Sequence, residues 1–212
     1  MKKILLLICA AFCLSGCGAM KVVPDAIESG VVSAADNSLT VTKDGISMTA
    51  KNADINMYSA NLEGAVAAFS VQVENQTDGE ITFAPESFLL LDNDNRQYAP
   101  LAPEKVKEIV AQDTYYLIPY PYVGFYYLED YQKTSFYNRF NTREPYFYEL
   151  YPQDIFTRGF PAGAIIPKAK VAGLVYFKID LSEKQAVKLL AFRNKGAKSA
   201  APDFIFPFRI IK

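Results

Sequence analysis

The feature that most constrains the fold of this chain is a series of short runs in which apolar and polar residues alternate. Residues 38–43 and 45–51 both alternate in this way, and Lys43-Asp44-Gly45 joins them. A period of two residues is typical of strands that bury one face, and Asp-Gly is a frequent hairpin turn. The sequence therefore predicts a β-hairpin over these residues.

Further short runs of strand-like sequence recur along the chain, separated by turn residues: 64–75, 80–83, 87–91, 171–180, 187–193 and 204–211. Pro207 in the last run predicts an edge strand or a bulge. Residues 102–112 predict one short helix, because Pro103 suits its first turn and Val106, Ile109 and Val110 recur at helical spacing. Seven or eight short strands with so little helix predict an all-β fold, a sandwich of two antiparallel sheets.

Several of these runs contain short motifs: Val73-Glu74-Asn75 before a turn, Phe88, Leu89, Leu91 and Asp92 in one strand, Tyr98 after a polar hairpin, and Gly173, Val175 and Phe177 in another strand. Their order resembles the lipoprotein domains of the DUF4352 type over residues 38–100 and 160–212. The resemblance implies an immunoglobulin-like β-sandwich, and it implies no activity.

The N-terminus has the pattern of an export signal. Two lysines precede an apolar run over residues 4–14, too short for the roughly 20 residues of a transmembrane helix. Leu14-Ser15-Gly16-Cys17 then resembles the bacterial lipobox. The resemblance implies a lipoprotein signal peptide over residues 1–17, with acyl chains such as palmitate on Cys17. An ordinary secretory signal with a chance cysteine, or an uncleaved membrane anchor, is the alternative.

Gly18 follows the predicted lipidation site. Lipoproteins of diderm bacteria that lack Asp at this position generally reach the outer membrane. The resemblance therefore implies an anchor in the outer membrane, with the protein facing the periplasm. Residues 18–37 are rich in small and polar side chains and predict a tether, followed by a sandwich domain over residues 38–212.

Composition excludes several classes of function. The chain has no His, and its three cysteines lie at positions 9, 13 and 17, so Ser/His/Asp and Cys/His catalysis and the usual zinc sites lack their residues. Without Lys2 and Lys3, 20 basic residues face 23 acidic ones, a net charge of 20 − 23 = −3. That balance disfavours nucleic acid as a partner. We predict no catalytic residue, metal or cofactor.

Two polar segments resemble functional motifs, a calcium-binding loop and a glycosylation sequon, but each fits a turn better. Asp92-Asn93-Asp94-Asn95 begins like an EF-hand loop, but Arg96 and Gln97 occupy the places of an oxygen ligand and the invariant Gly. The segment is therefore predicted to be a hairpin loop. Asn75-Gln76-Thr77 matches a glycosylation sequon, and its position in the turn cluster up to Gly79 favours a turn.

An aromatic insertion over residues 113–159 interrupts the strand pattern. It contains eleven of the fourteen tyrosines, together with prolines that exclude one continuous helix and with charges of both signs. Its rings could simply pack over the sandwich. They could instead contact a partner protein, a glycan such as peptidoglycan, or the membrane–water boundary.

The insertion supplies the predicted binding residues: Tyr120, Tyr122, Tyr126, Tyr127, Tyr131, Arg139 and Arg143. They predict a non-catalytic binding or structural module whose partner is an envelope protein or a glycan. A carboxylate-dependent glycan hydrolase is the alternative, with Glu129 and Asp130 or Glu144 and Glu149 as its acid pair. A purely structural envelope protein without a specific ligand is a third possibility.

Overall fold

The computed structural model describes residues 20–53, 65–114, 154–193 and 201–212. Thirteen strands are assigned within these ranges: Lys21–Pro24 (β1), Gly30–Ser33 (β2), Ser38–Lys43 (β3), Ile46–Ala53 (β4), Ala67–Asn75 (β5), Ile81–Phe83 (β6), Phe88–Asp92 (β7), Gln97–Tyr98 (β8), Pro100–Leu101 (β9), Gly163–Ile165 (β10), Lys170–Phe177 (β11), Ala186–Ala191 (β12) and Phe204–Ile211 (β13). The α-helices are Pro103–Thr114 (α1) and Asp154–Thr157 (α2). Single 3-10 turns span Pro85–Ser87 and Leu181–Glu183.

The strands form two large sheets. One has five strands in the order β1-β13-β12-β7-β8, and the other has six in the order β2-β3-β4-β5-β11-β9. Strands β6 and β10 form a separate pair. Each pair of neighbouring strands among β1–β13 is antiparallel. The predicted hairpin is present as β3 and β4, and the predicted helix as α1.

The core lies between the inner faces of the two large sheets. Alternate residues of β5 and β11 point into it, and so do the phenylalanines of β13. The Phe69 ring on the six-stranded sheet lies 5.2 Å, centroid to centroid, from the Phe208 ring on the five-stranded sheet. Because apolar side chains of both sheets interdigitate in one core, the predicted all-β antiparallel sandwich is confirmed.

The prediction of a tether over residues 18–37 is wrong for the described part of that range. Lys21–Pro24 pairs with β13 and Gly30–Ser33 pairs with β3, so both segments belong to the sheets. Val22 is buried in the core. Both strands are short and weakly alternating. Strand β1 depends on pairing with the distant β13, whereas β2 forms a local hairpin with β3.

Pro207 lies in an interior strand, so the prediction of an edge strand or bulge is wrong. Strand β13 is flanked by β1 and β12. The Pro207 carbonyl accepts a hydrogen bond from the Asp25 amide at 2.9 Å, just beyond Pro24, where β1 ends. In an antiparallel strand the nitrogen and the carbonyl of one residue point to the same side, so the Pro207 nitrogen also faces Asp25. Because β1 ends at Pro24, the N–H that proline lacks is not needed for the β1–β13 ladder.

Candidate functional site: the base of the aromatic insertion

The residues predicted to carry function from sequence lie outside the described part of the chain. They are Cys17, Tyr120, Tyr122, Tyr126, Tyr127, Tyr131, Arg139 and Arg143, together with the acid pairs Glu129/Asp130 and Glu144/Glu149. The structure does describe both ends of the insertion. They define where it joins the sandwich, and we call this region the insertion base.

The insertion base rests on the outer face of the six-stranded sheet. A second hydrophobic cluster forms there from strand, loop and helix residues: Val66, Ala68, Val106, Ile155, Leu174 and Tyr176. Helix α1 contributes Val106 and helix α2 contributes Ile155, and the two helices contact each other. The Tyr176 hydroxyl donates to the Ile155 carbonyl at 3.0 Å. Both ends of the insertion are therefore packed on one patch of the sheet.

The predicted boundaries of the insertion, 113 and 159, need correction. Residues 113 and 114 belong to helix α1, and α2 begins at Asp154. Ile155 is buried in the second cluster, and Phe160 is buried in the main core with its ring 5.3 Å from that of Phe88. The segment that can be exchanged without removing described core contacts is therefore 115–153.

The insertion returns to the core along the edge of β11 that faces away from β5, where β9 pairs only with Tyr176 and Phe177. The Phe160 amide donates to the Leu174 carbonyl at 2.9 Å, and the Leu174 amide donates to the Arg158 carbonyl at 2.7 Å. A Cβ atom on Gly173 would lie 2.4 Å from the Phe160 Cα and 2.6 Å from its nitrogen. Because backbone occupies that space, only glycine fits at position 173.

A buried carboxylate organises the hairpin between β7 and β8. One Asp92 oxygen accepts from the amides of Asp94 and Arg96, both at 2.9 Å, and the other accepts from the Tyr98 hydroxyl at 3.0 Å and from the Lys184 ammonium at 2.9 Å. The loop is thus the polar hairpin predicted from sequence. These four donors are two backbone amides and two side chains.

The environment of Asp92 keeps it ionised. Burial would raise the pKa of its carboxyl, but hydrogen bonds from Lys184, the Arg96 amide, Tyr98 and the Asp94 amide outweigh burial and hold that pKa well below its usual range. In turn, the hydrogen bond to Asp92 raises the pKa of Lys184 above its ordinary value. The carboxylate is therefore ionised near neutrality, and its four hydrogen bonds join the β7–β8 loop to Lys184.

Asn75 ties two turns together at the end of β5. Its amide nitrogen donates to the carbonyls of Gly79 at 2.8 Å and Ile165 at 2.9 Å. Its carbonyl oxygen accepts from the Thr77 amide at 3.0 Å and the Thr77 hydroxyl at 2.7 Å. The side chain is fully buried, so a glycan on its nitrogen would not fit. The predicted turn is confirmed and the sequon has no structural basis.

Removing the Asn75 side chain is expected to destabilise the fold. In Asn75→Ala, the Gly79 and Ile165 carbonyls and the Thr77 amide lose a partner, and we expect a loss of about 2 kcal/mol. Chemical denaturation of the purified domain measures this loss. Asn93→Ala, which alters an exposed asparagine of the β7–β8 loop, is the matched control. Equal denaturation midpoints for the two variants would contradict the role of Asn75.

Neither a metal-binding cluster nor a membrane-spanning helix is found among the described residues. They contain no group of three or more His, Cys, Asp or Glu side chains placed to hold a metal ion. Within the same residues, no helix is long and apolar enough to cross a membrane.

Sequence reasoning missed the second hydrophobic cluster. Its signal is present in β11, where Leu174-Val175-Tyr176-Phe177 is apolar without alternation. A continuous apolar run is typical of a strand covered on both faces. Here the main core covers Val175 and Phe177, and the insertion base covers Leu174 and Tyr176.

No protein-family model matches the sequence, and no curated protein matches it. Three solved structures are similar at low identity. The yjhA protein of Bacillus subtilis is 13% identical with a TM-score of 0.37, over 73% of this chain and 77% of that one. The secreted protein MPT63 of Mycobacterium tuberculosis is 13% identical with a TM-score of 0.34, over 76% and 90%.

The third structure is a candidate lipoprotein, ycdA, of Bacillus subtilis subsp. subtilis str. 168. It is 12% identical with a TM-score of 0.36, and the match covers 88% of this chain. The match spans 39% of the length of ycdA. All three similarities are too distant to carry a function to this chain.

Proposed function

We propose that this protein is a lipid-anchored, non-catalytic lipoprotein of the cell envelope that binds a partner protein through its aromatic insertion. The observation that carries the proposal is the placement of eleven of fourteen tyrosines between positions 115 and 151, among charges of both signs. Tyrosine and arginine are enriched in the energetic centres of protein interfaces. The binding residues are Tyr120, Tyr122, Tyr126, Tyr127, Tyr131, Arg139 and Arg143.

The anchor is the lipidated Cys17. Its support is the lipobox sequence Leu14-Ser15-Gly16-Cys17 after a short apolar run, and Gly18 supports the outer membrane with the sandwich in the periplasm. Stable membrane anchoring takes at least two acyl chains, and a lipobox cysteine ordinarily carries three. The motifs shared with DUF4352-type domains support placing the chain among envelope lipoproteins of that kind.

The insertion base supports the binding role because it fixes both ends of the aromatic segment. Helices α1 and α2 pack on the same patch, and the Tyr176 hydroxyl donates to the Ile155 carbonyl there. A binding segment held at both ends follows the rigid sandwich wherever the anchor places it. It loses less freedom on binding than a segment held at one end.

Replacing Tyr120, Tyr122, Tyr126 and Tyr127 together by Ser is expected to abolish crosslinking to the partner while leaving thermal unfolding of the sandwich unchanged. The physical reason is that rings in an interface contribute to binding, whereas rings in a core contribute to folding. The measurement is site-specific photocrosslinking from the insertion in intact envelopes, with mass spectrometry of the adducts. Thermal unfolding is followed on the same purified proteins.

The matched control is a variant with four exposed apolar side chains of the sandwich replaced by Ser: Val31, Ile166, Ile205 and Ile211. It removes apolar surface of similar kind outside the insertion and should keep the crosslinks. A collapse of the thermal transition in the tyrosine variant would place those rings in a core and remove the basis of the proposal. Adducts to glycan strands instead of protein would show that the partner is a glycan.

A further inference from the structure

The connection between the predicted lipid and the folded sandwich is very short. Met20 packs against the main core and β1 begins at Lys21. Only Gly18 and Ala19 separate Cys17 from Met20. Consecutive Cα atoms are about 3.8 Å apart, so the Cα atoms of Cys17 and Met20 lie within about 11 Å of each other in any conformation.

Lys21 lies at one end of the sandwich, which we call the Lys21 end. Lys21 pairs with Ile211, while Ala186 begins β12 and Asp92 ends β7 at the same end of the five-stranded sheet. In the six-stranded sheet, β11 ends at Phe177, and residues 178–185 lead from there to β12. The Lys21 end therefore includes the ends of both sheets.

The opposite end, which we call the Asn75 end, contains the last residue of β5 and the β3–β4 turn. The Arg193 guanidinium, just after β12, pairs with the Asp44 carboxylate of that turn at 2.6 Å and so joins the two sheets there. Strand β5 spans nine residues between the two ends. At 3.3 to 3.4 Å per residue, it separates them by about 30 Å.

From these positions we propose that the Lys21 end is a membrane-facing surface whose partner is the bilayer that carries the acyl chains of Cys17. The inference rests on the lipidation of Cys17 in the proposed function. A two-residue connection leaves no room for another protein layer between this end and the lipid headgroups. This end exposes basic side chains (Lys21, Arg96, Lys178) and acidic ones (Asp94, Glu183), so the length of the connection, and not the net charge, carries the inference. The Asn75 end then points away from the membrane.

This orientation also places the insertion base. Leu174 and Tyr176 lie in the last four residues of β11, next to Phe177 at the Lys21 end. The second hydrophobic cluster therefore occupies the half of the six-stranded sheet that is nearer the bilayer. Helix α1 leads into the insertion and helix α2 follows it, and both pack on that half of the sheet.

Depth-dependent fluorescence quenching tests the orientation. No cysteine occurs after Cys17, so single cysteines can be labelled in the mature lipidated protein. Ser182→Cys places a dye at the Lys21 end, and Gln76→Cys places one at the Asn75 end; both residues are exposed. In vesicles of phosphatidylethanolamine and phosphatidylglycerol with nitroxide-labelled headgroups, we expect severalfold stronger quenching at position 182.

The matched control lengthens the connection by about twelve Gly/Ser residues between Ala19 and Met20, which adds a flexible span of roughly 20 Å. In this variant the difference between the two labels should largely disappear. Equal quenching at both positions, or stronger quenching at position 76, in the native-length acylated protein overturns the orientation alone. Mass spectrometry that finds no acyl chain on Cys17 overturns the proposed anchor and the orientation with it.

Discussion

Replacing Gly173 by alanine is expected to destabilise the protein by about 3 kcal/mol, because the new methyl group meets backbone that cannot rotate away. The clash is with the Cα and nitrogen of Phe160, at 2.4 and 2.6 Å. The Phe160 amide is also bonded to the neighbouring Leu174 carbonyl, so the crossing segment cannot shift without losing that bond. For a domain of this size the thermal midpoint should fall by roughly 6 to 12 °C.

Thermal and chemical denaturation of Gly173→Ala measure the effect, and Ala172→Ser, one residue earlier on the exposed side of β11, is the control. A second comparison separates backbone crowding from ring crowding. Because the close atoms belong to the Phe160 backbone, combining Gly173→Ala with Phe160→Ala should give no rescue. Full stability of Gly173→Ala would show that the insertion does not return along β11 in this way.

How far the sequence predicts this fold depends on how local the cause of each element is. The β3–β4 hairpin was predictable because alternation and the Asp44-Gly45 turn act over a few residues, and β3 has the bounds predicted for it. Strands β1 and β2 have four residues each, too few for a clear alternation, although β2 pairs locally with β3. Lys21 finds its partner in Ile211 at the other end of the chain, and no local pattern encodes that pairing.

In the candidate site, the sequence shows some of the residues but not the distant contacts that give them their roles. The motif Gly173, Val175 and Phe177 was visible in the sequence, but the need for glycine follows from where Phe160 crosses β11. Asp92 and Tyr98 were both noted as motif residues, and the structure adds that the tyrosine hydroxyl donates to the carboxylate. Lys184 had no signal at all, because its role depends on the packing of a loop 92 residues further along the chain.

Replacing Asp92 by asparagine is expected to cost about 3 kcal/mol at neutral pH, because the substitution breaks a buried ion pair and turns an NH2 group toward existing donors. Each carboxylate oxygen accepts from two donors, so either orientation of the amide places an NH2 group against two of them. Asp94→Asn, which alters an exposed carboxylate of the same loop, is the matched control and should change stability little. Chemical denaturation at pH 7 measures both.

The cost of Asp92→Asn should depend on pH in a defined direction. The pKa of Asp92 is lowered by folding, so its contribution is fully present above the unfolded value of about 3.9 and is lost as pH falls through the folded value. The stability difference between wild type and Asp92→Asn should therefore be constant from about pH 6 to about pH 8 and should shrink below about pH 4. Asp36, whose pKa is lowered to about 2 by hydrogen bonds from Ser33, Ser38 and Lys51, contributes equally to both proteins and cancels in the difference.

Lys184, the ion-pair partner of Asp92, provides a second test of whether the pair stabilises the hairpin. The pKa of Lys184 is raised by the hydrogen bond to Asp92, so its contribution is present below the ordinary lysine value and is lost only as pH rises beyond it. Lys184→Met should lower stability at pH 7, and the double variant Asp92→Asn, Lys184→Met should lose less than the sum of the single losses, because the second change removes a charge already left without its partner. Simple additivity of the two losses, or a cost of Asp92→Asn that does not change down to pH 3, would show that the ion pair does not stabilise the hairpin.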